Sequence, residues 1–243
     1  MSKKTLNNLS VIIPFYNEQH RLLASLKTLN NYFINKKNFE IIFINDGSTD
    51  KSDFIISKFI KKYKKIYKIK YFKYKKNIGK GYAIKKGILN SKKDWMLICD
   101  ADMSVNPKQI DKWVKKNYIK YENIAYFGSR NHSLSKIKTS IARRFLGSLF
   151  NFVIYFLFRI KIKDTQCGFK LFNRTYALNV FKKLKSYRFS FDVELVILLK
   201  KNKINIRELP IEWVHKEGSK LSIIYDIPKM MIDIIKIKLN QNK

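Results

Sequence analysis

The chain has 243 residues, 46% hydrophobic and 14% aromatic, which excludes a disordered polypeptide and suffices for one sizeable α/β domain with its own core. Basic residues outnumber acidic ones 51 to 18, a formal charge of +33; such a field draws polyanions or an anionic leaflet, or is simply a solvated lysine-rich surface. The two cysteines, Cys99 and Cys167, form no disulfide framework, suit a reducing compartment and read as packing residues.

Residues 1–8 are polar and no apolar signal core follows, so a cytoplasmic protein is expected. Residues 9–14 and 39–45 are β-branched and almost continuously apolar, the pattern of strands covered on both faces. Between them Leu22, Leu23, Leu26, Leu29 and Phe33 recur at helical spacing, and Ile55, Phe59, Ile60 and Tyr63 repeat the pattern. A strand over 69–74, a helix over 81–90, a strand over 95–99, a helix over 106–121 and a strand over 124–128 follow. This alternation predicts right-handed crossovers and a mostly parallel central sheet with helices on both faces, its ligands gathering at the carboxyl ends of the strands.

After residue 130 the alternation breaks. The apolar stretch 145–160 is shorter than the ~20 residues a membrane span needs and carries Asn151 and Arg159, so it is expected to lie in a membrane interface rather than to cross. A strand over 168–173, helices over 174–184 and 191–202 and a segment over 204–214 come next. Ile224, Ile227, Met231, Ile234 and Ile235 then mark an amphipathic helix, with Lys229, Asp233 and Lys236 off the stripe; it packs on the core or lies on a membrane.

The chemistry concentrates at the predicted strand ends. Asp100-Ala101-Asp102 follows the fourth strand, and side chains at i and i+2 of an extended chain point the same way, so the two carboxylates can share Mg2+ or Mn2+. The alternative is that one caps a turn and the other is solvated. Pro14-Phe15-Tyr16-Asn17-Glu18 and Asn45-Asp46-Gly47-Ser48-Thr49-Asp50 should lie side by side and hold a nucleoside, Glu18 and Asp46 accepting hydrogen bonds from base or ribose. Gly47 permits the tight turn, and Ser48, Thr49 and Asp50 also suit a helix cap. Asn77-Ile78-Gly79-Lys80-Gly81 resembles a phosphate cradle, offering backbone N–H groups and an ammonium. His20, His132 and His215 show no ligand spacing.

These four motifs, in this order, resemble the family-two glycosyltransferases, inverting enzymes of the GT-A fold. Farther along, Asp164-Thr165-Gln166-Cys167-Gly168-Phe169-Lys170-Leu171-Phe172, Phe191-Asp192-Val193-Glu194-Leu195 and Glu217-Gly218-Ser219-Lys220-Leu221 are similar to the polyprenyl-phosphate glycosyltransferases, the group of the dolichyl-phosphate β-glucosyltransferases and, more distantly, the mannose synthases. Two features depart from that pattern: the eukaryotic glucosyltransferases carry an N-terminal anchor not seen here, and Asn45 stands where many relatives have a second aspartate.

The resemblance implies a GT-A domain over 1–243, with a nucleotide-sugar half at 9–130, an acceptor half at 131–221 and a terminal amphipathic helix at 222–243. It implies inverting transfer of a hexose, glucose from UDP-glucose, to a polyprenyl or dolichyl phosphate by a protein peripheral on the inner face of an anionic membrane, without nucleic acid. The donor would meet Pro14, Tyr16, Glu18, Asp46, Gly47, Asn77, Lys80, Gly81, Asp100 and Ala101, and Asp100 and Asp102 would hold the metal. Asp102, Asp164, Gln166 and Asp192 would border the reaction, and Arg130, Arg144, Lys170 and Lys220 would take the acceptor phosphate. Asp192 and Glu194 could instead open a helix, where carboxylates are favoured. A lipid phosphate is already ionised near neutral pH, its second pKa being ~6, so no strong general base is needed. The rival readings are a sugar-hydroxyl acceptor with Asp164 as base, a GDP-mannose donor, and a non-catalytic basic module, which explains the charge but not the acidic motifs.

Overall fold

The computed structural model describes residues 6, 8–138, 153–216, 218 and 223–240. The apolar runs become strands sealed on both faces: β1 (Leu9–Phe15) is buried throughout and pairs in parallel with β2 (Phe39–Asn45), Leu9 opposite Phe39 and Phe15 opposite Asn45. β3 (Lys68–Lys73) extends the sheet beyond β2, and β4 (Trp95–Ile98) lies on the other side of β1. The later strands are β5 (Ile124–Ser129), β6 (Lys136–Lys138), β7 (Lys170–Asn173), β8 (Asn205–Pro210) and β9 (Glu212–Val214). The main sheet runs β3-β2-β1-β4-β7-β5-β8, and β6 and β9 form a small separate pair. It is mostly parallel, as expected; the strand expected over 168–173 is β7, and it runs antiparallel to both β4 and β5, a direction that periodicity did not reveal.

Helices cover both faces: α1 (Gln19–Phe33), α2 (Ser52–Tyr63), α3 (Lys80–Leu89), α4 (Gln109–Lys115), a helical stretch over residues 153–158 (α5), α6 (Arg174–Lys183), α7 (Phe191–Lys201) and α8 (Ile223–Asn240). Because side chains alternate along a strand, Val11, Ile13, Ile41, Phe43 and Leu97 meet α1, α2 and Trp113 of α4 on one face, while Ile12, Ile42, Ile44, Met96 and Ile98 meet α3, α6, α7 and α8 on the other. Each such side chain contributes about 1.5–3 kcal/mol on burial. Leu22, Leu26 and Leu29 of α1 join the core as expected, whereas Leu23, counted in the same stripe, faces solvent.

Two expectations need correction, and a third falls partly outside the described residues. The helix expected over 106–121 is only α4, because Asn117 adopts a left-handed conformation (φ 54°) that an asparagine tolerates and a helix does not continue through. Of the apolar stretch, residues 145–152 lie outside the described residues; in α5 Ile154 is buried while Tyr155 and Phe156 are exposed. On α8 the buried line runs through Met230 and Ile234, leaving Ile235 exposed; the side chains of Ile224 and Ile227 lie outside the described residues. Among the described residues no helix is long and apolar enough to cross a membrane. The strand order reverses between β1 and β4, and such a switch point opens a crevice above the carboxyl ends of the strands.

Candidate active site

A cleft of about 430 Å³ occupies that crevice. Its floor begins where β1 and β2 end. Asn17, held at φ 52°, stitches the two loops together: its Oδ1 accepts from the amides of Thr49 (2.8 Å) and Asp50 (3.3 Å), and its own amide donates to Ser48 Oγ (3.0 Å). Asp50 serves the helix before it and the helix after it in the chain, accepting from Gln19 N at the start of α1 and from Ser52 N at the start of α2. Of the three residues that suit a cap, Asp50 reaches the helix starts, while the hydroxyls of Ser48 and Thr49 turn to Asn17.

Asp46, expected to meet the nucleoside, lines the cleft and also holds a loop in place. Its carboxylate accepts from Ile78 N and Gly79 N, each at 2.9 Å, and from Asn77 Nδ2 at 3.0 Å, so it pins the 77–79 loop across the cleft. Burial raises its pKa, against those amides and the nearby Arg188 guanidinium. Gly47 (φ +75°) lets this loop approach, since a Cβ there would lie 2.4 Å from Lys76 C. The glycines of the third motif likewise answer to packing. A Cβ on Gly79 would lie 2.3 Å from Tyr187 O, and one on Gly81 would lie 2.5 Å from Phe191 Cβ. Tyr82 N, in the first turn of α3, donates to Tyr187 O (3.1 Å), so this helix start is partly engaged by the chain itself.

The paired aspartates lie just past β4, in a turn closed by Met103 N donating to Asp100 O (3.0 Å). The turn, rather than extended alternation, directs the two carboxylates, and each meets its own cation. Asp100 Oδ1 is 2.6 Å from Lys80 Nζ, at the start of α3. Asp102 Oδ2 accepts from Arg21 Nη1 at 3.2 Å and its Oδ1 from Ser104 N at 2.9 Å. Arg21 is held in turn by Glu18 through a forked pair of 2.6 and 2.5 Å. Burial alone would raise Asp100 and lower Lys80; their mutual attraction reverses both, leaving the aspartate below and the lysine above its ordinary range. Behind Asp100 stands Gly168, whose added Cβ would lie 2.0 Å from Asp100 Oδ2, so only glycine leaves room for that carboxylate.

Pro14, Tyr16, Glu18, Asp46, Asn77 and Lys80 line the cleft together with Asp100, Ala101 and Asp102, while Gly47 and Gly81 shape it from behind. Arg21, Arg188 and Phe189 line it as well and were missed. Arg21 had a signal, the helical i,i+3 spacing from Glu18; the 186–189 loop had none.

The expected acceptor residues are arranged otherwise. Arg130 is locked to Asp164 by a forked pair, both contacts 2.8 Å, and Asp164 is fully buried. Burial works against both charges, but the pairing holds Asp164 low and Arg130 high. Asp164 is thus a counter-ion and not an available base, and Gln166 donates its amide to it at 3.2 Å. Lys170 is 1% exposed, with Nζ 2.6 Å from Asp192 Oδ1 and 2.7 Å from Cys167 O. Asp192, raised by burial against the pull of Lys170 and Lys80, opens α7. None of Arg130, Asp164, Gln166, Lys170 and Asp192 lines the cleft, and Arg144 and Lys220 lie outside the described residues. The cysteines are buried and free, with burial pushing the Cys167 thiol up to about 12. His20 is exposed, and His215 stacks on Trp213.

Among the described residues no three His, Cys, Asp or Glu side chains converge on a metal position. Two carboxylates are nonetheless a fitting donor set for Mg2+ or Mn2+, which proteins commonly hold through one or two carboxylates while substrate phosphates and water complete the shell. The site therefore suits an ion that arrives with a diphosphate better than an ion bound alone.

Residues 10–181 match the sequence model of glycosyl transferase family 2. A dolichyl-phosphate β-glucosyltransferase of Dictyostelium discoideum is 36% identical over 98% of this chain and 76% of its own length, and that of Saccharomyces cerevisiae is 35% identical over 95% and 74%. Among solved structures, glucosyl-3-phosphoglycerate synthase from Mycobacterium tuberculosis, in complex with Mn2+, UDP-glucose and phosphoglyceric acid, superposes with a TM-score of 0.68. It is 14% identical, and the match covers 96% of this chain and 79% of that one.

Proposed function

The chain belongs to glycosyl transferase family 2 and is a glycosyltransferase, and on that footing we propose that it transfers glucose from UDP-glucose to a polyprenyl or dolichyl phosphate with inversion at the anomeric carbon. The observation that carries this reading is the pair Asp100 and Asp102, each faced by a cation from a different helix, at the floor of a cleft above the switch point. Asp100 and Asp102 would hold the divalent ion, Mg2+ or Mn2+, which when bound supplies charge stabilisation to a departing diphosphate. The Asp46-pinned loop and Tyr16 would receive the nucleoside, and Lys80, Arg21 and Arg188 would balance the phosphates. An ionised oxygen of the lipid phosphate attacks C1 of the sugar, the bond from C1 to the β-phosphate oxygen breaks, and UDP leaves with that electron pair. Since the attacking oxygen is already anionic, the absence of Asp164 from the cleft lining costs the reaction nothing.

The donor half at 9–130 receives two walls, Arg188 and Phe189, from the acceptor half, so the halves share one cleft. For the acceptor phosphate the remaining cations named by the sequence are Arg144 and Lys220. Membrane contact on the inner face is supported by the exposed Tyr155 and Phe156 of α5 and Ile232, Ile235 and Leu239 of α8, set among lysines on a chain of charge +33.

The test is incubation of the protein with UDP-glucose, Mn2+ and a short-chain polyprenyl phosphate. A chloroform-extractable lipid β-glucosyl phosphate is expected, absent with Asp102→Ala. Product from GDP-mannose instead would move the donor assignment, and no lipid product with any nucleotide sugar would overturn the acceptor assignment.

A further inference from the structure

Arg21 and Lys80 do more than add positive charge to the cleft. Arg21 is anchored by its fork to Glu18, so its guanidinium stays in place whether or not Nη1 keeps the longer 3.2 Å contact to Asp102. Lys80 meets Asp100 through the end of a flexible side chain at the first position of α3. Each carboxylate assigned to the metal is therefore already neutralised by a cation that can give it up without unravelling a helix.

A bare divalent ion entering this site must compete with two resident positive charges for the same two carboxylates. An ion that enters with a nucleoside diphosphate brings anionic oxygens, which replace Asp100 and Asp102 as partners of Lys80 and Arg21. In the second case every charge keeps its full set of partners; in the first, Lys80 loses Asp100 and Arg21 is left with Glu18 alone, which is costly.

Resting on the metal assignment above, we infer that Arg21 and Lys80 are exchange partners: they occupy Asp102 and Asp100 in the donor-free enzyme and pass to the diphosphate on binding, so that divalent ion and nucleotide are taken up together. Arg21 thereby contacts the donor diphosphate itself while the Glu18 clamp holds it in place.

The test is calorimetric titration of Mn2+ into the full chain, alone and with saturating UDP, for wild type, Arg21→Met, Lys80→Met and Asp102→Ala. Wild type is expected to bind Mn2+ about tenfold or more tightly with UDP than without, within the usual range of coupled sites. Lys80→Met and Arg21→Met should bind Mn2+ alone several-fold more tightly than wild type yet bind UDP with Mn2+ more weakly. These opposite signs are not produced by a merely damaged site. Equal Mn2+ affinity with and without UDP in wild type overturns the inference, as does a variant pair whose affinity for Mn2+ alone is unchanged or weakened. Should a methionine variant fail to fold, Arg21→Gln and Lys80→Gln, which also remove the charge, decide by the same two affinities. If the exchange fails while Asp102→Ala still abolishes Mn2+ uptake with UDP, the metal assignment stands; if Asp102→Ala changes nothing, the site reading itself falls.

Discussion

Replacing Lys170 by methionine would leave Asp192 as a lone carboxylate inside the protein. Lys170 is 1% and Asp192 4% exposed, their contact is 2.6 Å, and the ammonium also sits 5.0 Å from the centre of the Phe127 ring. Removing one member of a buried pair costs about 3–5 kcal/mol, because the survivor keeps its desolvation penalty without its partner. That is a large part of a total stability of about 5–15 kcal/mol. At a urea slope of about 2–3 kcal/mol/M the unfolding midpoint should fall by about 1–2 M. Burial already raises the Asp192 pKa and Lys170 restrains that rise, so in the variant it climbs further. A carboxyl whose folded pKa lies above its unfolded value favours folding at low pH and loses that contribution as pH rises, so the deficit should be larger at pH 7.5 than at pH 5. The double variant Lys170→Met/Asp192→Leu should regain most of the loss. A loss below about 1 kcal/mol, with no pH dependence, would refute the pairing and return Lys170 to the acceptor-phosphate role expected from sequence.

Gly168→Ala should leave the fold intact but force the Asp100 carboxylate away, since the new Cβ would lie 2.0 Å from its Oδ2; a fall in kcat/KM of about 100-fold, at unchanged far-ultraviolet dichroism, is expected for such a displacement, and activity within twofold would contradict it. Glu40 is fully buried and held by Lys70, Ser10 and the amide of Lys92. Burial pushes its pKa up, but these partners outweigh it and bring it below the ordinary range. Its contribution is therefore present above about pH 4.5 and lost as pH falls through the lowered value. Glu40→Gln should lower stability at pH 7 and flatten the acid limb of a stability profile measured by urea unfolding; an acid limb as steep as wild type would count against it.

What was legible in the chain followed from periodicity and from short motifs. Largely apolar runs, rich in β-branched residues in β1 and β2, announced β1, β2 and β4, and a parallel sheet puts whatever follows such runs at one edge, which is why residues 14–18, 45–50 and 100–102 were brought together. Pairings between distant charges left no periodic trace. Arg130 and Lys170 read as phosphate ligands because their partners, Asp164 and Asp192, lie 34 and 22 residues away. Gly79 and Gly81 read as a phosphate cradle, while the structure uses them for close approach of the 186–191 segment. The antiparallel direction of β7 escaped because a strand buried on both faces looks the same either way.

The donor diphosphate is expected to lie against Asp100 and Asp102, and a crystal structure of the protein with UDP-glucose and Mn2+ tests that most directly. It should hold the pyrophosphate between this aspartate pair and the Lys80 and Arg21 side chains, with uridine over the loop that Asp46 pins. Nucleotide bound with its phosphates away from both aspartates would contradict it.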